Sequence, residues 1–188
     1  MADPRGFDGD NNAAACAWAA DLVRLYARAT RAANIAVVFD IDDTLLTPEP
    51  LRRRDTVANL YDACVGAGAS VFIVTARPET CRAQTMADLR AIGVHPRSGG
   101  APGFAWLAMM PAGASDVPRY KLAERLAIAR HLGADGVLLL AVGDQWWDVV
   151  GSDRRIEEME ARYADGAAAV VPALPPAEPA RCALRVAS

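Results

Sequence analysis

Residues 35–46 read Ile-Ala-Val-Val-Phe-Asp-Ile-Asp-Asp-Thr-Leu-Leu, an apolar run that breaks at Asp40 into a cluster of acids and a threonine. A short apolar stretch bounded by polar residues is the pattern of a strand buried on both faces. Similar runs recur at Ser70 to Val74, Phe104 to Met110, Val137 to Val142 and Ala167 to Val171, with helix-length segments between them. Strands that alternate with helices predict an α/β fold with a parallel sheet and helices on both faces.

The intervening segments carry their own boundaries. Val57, Leu60, Tyr61 and Cys64 share one helical face that ends near Gly66. Pro78 opens a helix whose Thr85, Leu89 and Ile92 lead to a stop at Gly93. Asp116 and Pro118 start another, through Leu122, Leu126, Ala129 and Leu132 to Gly133, and Ser152 or Asp153 starts one through Ile156, Met159 and Tyr163 to Gly166. Upstream, Ala13 to Ala33 reads as a leading helix with Trp18, Leu22, Leu25 and Tyr26 as its packing face. Downstream, Pro172, Pro175, Pro176 and Pro179 predict an extended or disordered Pro/Ala-rich tail over 172–188, unable to form an inner strand. The expected architecture is a single Rossmann-like domain over 1–171, a three-layer sandwich with its five strands in the order 5-4-1-2-3.

Composition narrows the function. The chain has 188 residues, 53% of them hydrophobic, so one core suffices and no metal or disulfide is needed merely to fold. Twenty Lys+Arg against 23 Asp+Glu leave a net charge of -3, which excludes a broad basic surface for nucleic acid or anionic lipid. An anionic substrate must then be captured locally. Cys16, Cys64, Cys81 and Cys182 are far apart and form no CxxC pair, which predicts reduced thiols. The acidic amino-terminal stretch is unlike a signal peptide, and no apolar run is long enough for a membrane span. The expectation is a cytoplasmic protein.

In a parallel α/β sheet, ligands bind beyond the carboxyl ends of the strands. Four inputs meet there. The first run ends at Asp40-Ile41-Asp42-Asp43-Thr44, the second at Thr75-Ala76-Arg77, and the fourth at Gly143-Asp144, with Asp148 four residues on. Lys121 is expected in the first turn of the helix after the third run and comes to the same edge. In extended chain, Asp40 and Asp42 would point to one side and Asp43 away. Like charges 4 Å apart repel by about 4 kcal/mol at an effective dielectric near 20, so these carboxylates call for a cation. Oxygen donors without histidine or cysteine suit a hard ion, and Mg²⁺ suits a site that must also accept a phosphate oxygen. Thr75 near a helix start and Lys121 as a compact positive charge suit a phosphoryl group. Each feature alone has a bland reading as a cap, a hydrogen bonder or a solvated charge. The ordered set DxDxT, T, K and GDxxxD, each at its proper strand or helix end, points to one site.

These residues resemble the haloacid dehalogenase-like superfamily of aspartate-nucleophile phosphohydrolases. The segments VVFDIDDTLL (37–46), VTARPETCRAQTMADLRAIG (74–93), YKLAER (120–125) and VGDQWWDVVG (142–151) are similar to the acid-phosphatase branch of bacterial class B-type enzymes and plant vegetative storage proteins. The resemblance implies a phosphomonoesterase. Asp40 would be the nucleophile forming an aspartyl-phosphate, and Asp42 the general acid and then base. Mg²⁺ would be held by Asp40, the backbone carbonyl of Asp42, and Asp144, with Asp148 in support. Thr75 and Lys121 would hold phosphoryl oxygens, and Arg77 would touch substrate or form a surface ion pair.

The stretch from Leu45 to Ser70 is too short for a large cap, which predicts an open site. The expected partner is a phosphorylated small molecule, a nucleotide among the candidates, and a homo-oligomer stays open. Trp146 and Trp147 flank the acids, and packing is expected of at least one. His95 and His131 are not needed as bases. One rival is a nucleic-acid end-phosphatase, for which Arg52, Arg53 and Arg54 form the only compact basic run near the first motif. A second is a non-catalytic phosphoacceptor like a receiver domain, whose acceptor aspartate follows a later strand than its acidic pair.

Overall fold

A computed structural model describes residues 12–30, 34–151, 153–162, 169–171, 174 and 180–186. Strand β1 (Ile35–Phe39) is buried along its whole length and lies inside a six-stranded sheet. Its neighbours are β4 (Ser70–Pro78) on one side and β6 (Val137–Gly143) on the other, both parallel to it. Beyond β4 lies β5 (Trp106–Met110), also parallel, and beyond β6 lies β8 (Cys182–Arg185), parallel again. Strand β7 (Ala169–Val171) closes that edge antiparallel to β8. A small hairpin, β2 (Leu46–Thr47) with β3 (Arg52–Arg53), follows β1.

Alternation along β1 divides the core into two layers, because successive side chains leave opposite faces of a strand. Ile35, Val37 and Phe39 pack with α1 (Asn12–Ala29), α2 (Asp55–Gly66) and α3 (Arg82–Ala91). Ala36 and Val38 pack in the layer of α4 (Val117–Leu132), α5 (Trp146–Val149) and α6 (Asp153–Arg162). The result is the expected α/β three-layer sandwich of Rossmann-like type. The chain runs from β1 outward through β4 to β5, then returns to place β6 on the other side of β1. The carboxyl ends of β1 and β6 therefore flank a topological switch point, where such sheets open a crevice.

Three expectations need correction. The fifth parallel place belongs to β8, so the stretch after the prolines includes an inner strand, and the run ending at Val171 forms the edge beside it. Proline excludes strand only where it stands, and Cys182–Arg185 contains none. The buried stripe of α1 is Ala15, Cys16, Ala19, Ala20 and Val23, while Leu25 and Tyr26 face solvent; small residues let this helix lie close against its neighbours. Helix α4 turns Lys121, Arg125 and Ile128 inward and leaves Leu126 exposed, so its inner face starts with two cations.

The start expected for α4 agrees, whereas Pro78 does not open a helix as expected and α3 begins at Arg82. Helix α4 is capped by Asp116, which accepts from the Arg119 N–H at 3.0 Å, and has Pro118 in its first turn. Pro78 ends β4, and a short 3₁₀ turn, Glu79–Cys81, precedes α3. Expectations for Ser152, Tyr163 and Gly166 and for 31–33 lie outside the described residues. Trp146 is buried in the α4 layer and Trp147 packs partly against it. Among the described residues, no helix is long and apolar enough to cross a membrane.

Candidate active site

Asp40 and Asp144 are the residues at which β1 and β6 leave the sheet, and the register pairs Phe39 with Val142. The Asp40 N–H donates to the Val142 carbonyl at 3.0 Å, which keeps the two exits side by side. After Gly143 the chain turns at once into α5, bringing Asp148 back over the turn. This requires glycine: a Cβ at 143 would lie 2.2 Å from the Asp148 Cβ. The cap of α5 is reciprocal. The Gln145 N–H donates to Asp148 Oδ2 at 3.0 Å, while the Gln145 side chain accepts from the Asp148 backbone and donates from Nε2 to Asp144 Oδ2 at 2.6 Å.

One carboxylate oxygen from each of Asp40, Asp144 and Asp148 comes within 4.8 Å of the others. All three residues are buried. Lys121 reaches between two of them, with Nζ paired to Asp40 Oδ1 and, at 2.5 Å, to Asp148 Oδ1. Burial pushes the Asp40 carboxyl up, Lys121 opposes that shift, and Asp148 adds to it. Burial likewise raises Asp144, against the Gln145 hydrogen bond. For Lys121, burial favours the neutral amine, but Asp148 and Asp40 outweigh it and hold the ammonium above its ordinary pKa.

The donor set fits a hard divalent cation. Its donors are oxygens alone, and their spacing is short enough for one ion to bridge. Three buried carboxylates face a single ammonium, and a divalent cation would balance the remainder.

Asp42 takes different partners. The chain does not stay extended after Asp40: the Ile41 carbonyl accepts from the N–H groups of Thr44 (3.2 Å), Leu45 (2.8 Å) and Leu46 (3.1 Å), and Asp43 has φ 52°. The Asp42 carboxylate stays out of the buried acid group and accepts a fork from Arg77, with Nε 2.9 Å from Oδ2 and Nη2 2.7 Å from Oδ1. Arg77 Nη1 donates to Asp88 Oδ2 at 2.7 Å. Thr75 is fully buried, and its Oγ1 accepts from the Arg77 N–H at 3.2 Å.

Sequence reasoning missed Asp88, Arg125 and Arg185. Arg125 is buried and donates to the carbonyls of Trp147, Asp148 and Val150 at 2.9, 2.6 and 2.7 Å. Its signal was available, since four residues after Lys121 is the same helical face. Arg185 donates to the Asp144 carbonyl at 2.9 Å, from a strand the prolines concealed.

No family model matches this chain, and no curated protein matches it in sequence. Among solved structures, it is similar to the class C acid phosphatase from Bacillus anthracis, with a TM-score of 0.56 and 14% identity over 84% of this chain and 75% of that one. At that identity the likeness establishes a shared fold.

Proposed function

We propose that this chain is a Mg²⁺-dependent phosphomonoesterase of the haloacid dehalogenase-like superfamily, in its acid-phosphatase branch, acting through an aspartyl-phosphate. The observation that carries the reading is the convergence of Asp40, Asp144, Asp148 and Lys121 at the switch point of the sheet. The fold shared with an acid phosphatase supports it. Asp40, Asp144 and Asp148, with the Asp42 carbonyl, are the ligands assigned to the ion. Bound there, Mg²⁺ would supply charge neutralisation and Lewis acidity toward a phosphoryl oxygen.

An Asp40 carboxylate oxygen attacks phosphorus as the ester P–O bond breaks, and the departing alkoxide takes a proton from Asp42. Water then attacks the acyl phosphate, gives a proton to Asp42, and releases phosphate with Asp40 restored. Thr75 donates its hydroxyl proton to a phosphoryl oxygen, and Lys121 offsets charge on Asp40 and the phosphate. Arg77 trades Asp42 for the substrate, which frees Asp42 as the acid. The chain acts as one domain, without a large cap, on a phosphorylated small molecule. Its four cysteines are free thiols, which supports a reducing, cytoplasmic setting.

The test is phosphate release from a panel of phosphomonoesters with Mg²⁺ and with a chelator. Sustained release that the chelator abolishes is expected; release that persists in chelator, or a single phosphorylation without turnover, contradicts the reading. The nucleic-acid alternative loses support from the basic run. Arg53 donates to the Ile92 carbonyl (2.7 Å) and to Asp62 (2.6 Å), and Arg54 to the Asp43 carbonyl (2.6 Å). A mononucleotide hydrolysed faster than a 3′-phosphorylated oligonucleotide, with little salt dependence, is expected.

A further inference from the structure

The acidic loop after β6 is gripped from two directions. Arg125, on α4, takes the carbonyls of Trp147, Asp148 and Val150, all beyond Gln145. The near end of the loop is held by β8. Arg185 Nε donates to the Asp144 carbonyl at 2.9 Å, and the next residue, Val186, donates its N–H to the Gly143 carbonyl at 2.9 Å. These two carbonyls bracket the point at which Asp144 leaves the sheet. The Arg185 guanidinium also lies 5.1 Å from the centroid of the Trp146 ring, so one buried side chain ties together the peptide of Asp144 and the first residue of α5.

We propose that Arg185 is a positioning residue for the Asp144 carboxylate, so that the strand beyond the proline-rich segment is part of the metal site. The inference rests on the reading of Asp40, Asp144 and Asp148 as a divalent-cation site. Asp148 has its own fixings in the α5 cap and Arg125. Asp144 has a side-chain bond from Gln145 and, for its backbone, the grip of Arg185. Without that grip, the Asp144 peptide can rotate and carry its carboxylate off the shared centre. Partners of this kind, one step behind a metal ligand, typically govern affinity about 10- to 100-fold.

The test uses the full chain without substrate, titrated with Mn²⁺ and followed by the electron paramagnetic resonance signal of the free ion, alongside thermal melting. Arg185→Met is expected to weaken Mn²⁺ binding by about 10-fold or more, and Arg185→Lys to recover part of it. If Arg185→Met fails to fold, Arg185→Gln takes its place with the same expected loss. Cys182→Ala, at the opposite end of β8 beside Leu140, loosens the strand without touching the loop and is expected to lower the melting temperature while leaving affinity unchanged. Wild-type affinity in the folded Arg185 variants overturns the proposal. So does an equal loss of affinity in Cys182→Ala, which would make the effect one of strand stability. Absence of Mn²⁺ binding by the wild-type chain is a different failure, that of the metal reading itself.

Discussion

The half of the site built from β1, β6 and α4 is buried, and the half built from the turn after Asp40, the end of β4 and α3 is partly open. Side-chain exposure is 8% for Asp40, 3% for Lys121 and 2% for Asp148, against 36% for Asp42 and 16% for Arg77. The difference matters because Coulomb interactions scale inversely with the local dielectric. In the buried half, an unmatched charge is expensive, so three carboxylates beside one ammonium call for a cation, and they are held on rigid elements. In the open half, water can replace either partner of the Asp42–Arg77 pair, so that pair can exchange partners during a reaction. On the proposed mechanism, groups that must stay fixed occupy the first half, and groups that must move or pass a proton occupy the second.

The largest expected effect falls in the buried half. Asp40→Asn should reduce phosphate release by at least about 10³-fold with an unchanged circular dichroism spectrum, because removal of a nucleophile eliminates the covalent route. Activity within a few-fold of wild type would remove Asp40 from that role. Next, Lys121→Met leaves Asp40 and Asp148 facing each other and should cost about 3–5 kcal/mol by denaturant unfolding in chelator. Saturating Mg²⁺ should restore part of that loss. Gly143→Ala forces Asp148 and α5 to move and should cost about 1–3 kcal/mol, with weaker Mg²⁺ activation. Arg77→Ala, in the open half, should cost about 1–2 kcal/mol, less than Lys121→Met, because the more exposed Asp42 it leaves behind can be solvated. It should raise KM about 10-fold, one charge-assisted contact's worth. A stability loss as large as that of Lys121→Met would erase the contrast between the two halves.

Much of the buried half was legible in the sequence because strand ends announce themselves. Asp40 and Asp144 directly follow apolar runs, Gly143 marks the turn, and the spacing to Asp148 returns it to the same edge. The partners of Asp42 were harder to read, since Arg77 on β4 and, behind it, Asp88 on α3 come from far along the sequence. Arg125 escaped notice because an inner helical face is sought among apolar residues, and here the leucines of α4 were the wrong guide. Strand β8 was concealed by its neighbours: four residues are enough for a strand when β6 supplies the partner, and no periodicity is visible over so short a run.

The most direct test traps the covalent intermediate. The chain, mixed with a phosphomonoester and Mg²⁺ and quenched within a turnover, is treated with borohydride, which reduces an acyl phosphate to an alcohol, and the peptide spanning β1 is weighed. Reduction at Asp40, absent in Asp40→Asn, is the expected result. Steady turnover with Asp40 unmodified at every quench time would contradict a phosphorylated aspartate at the end of β1.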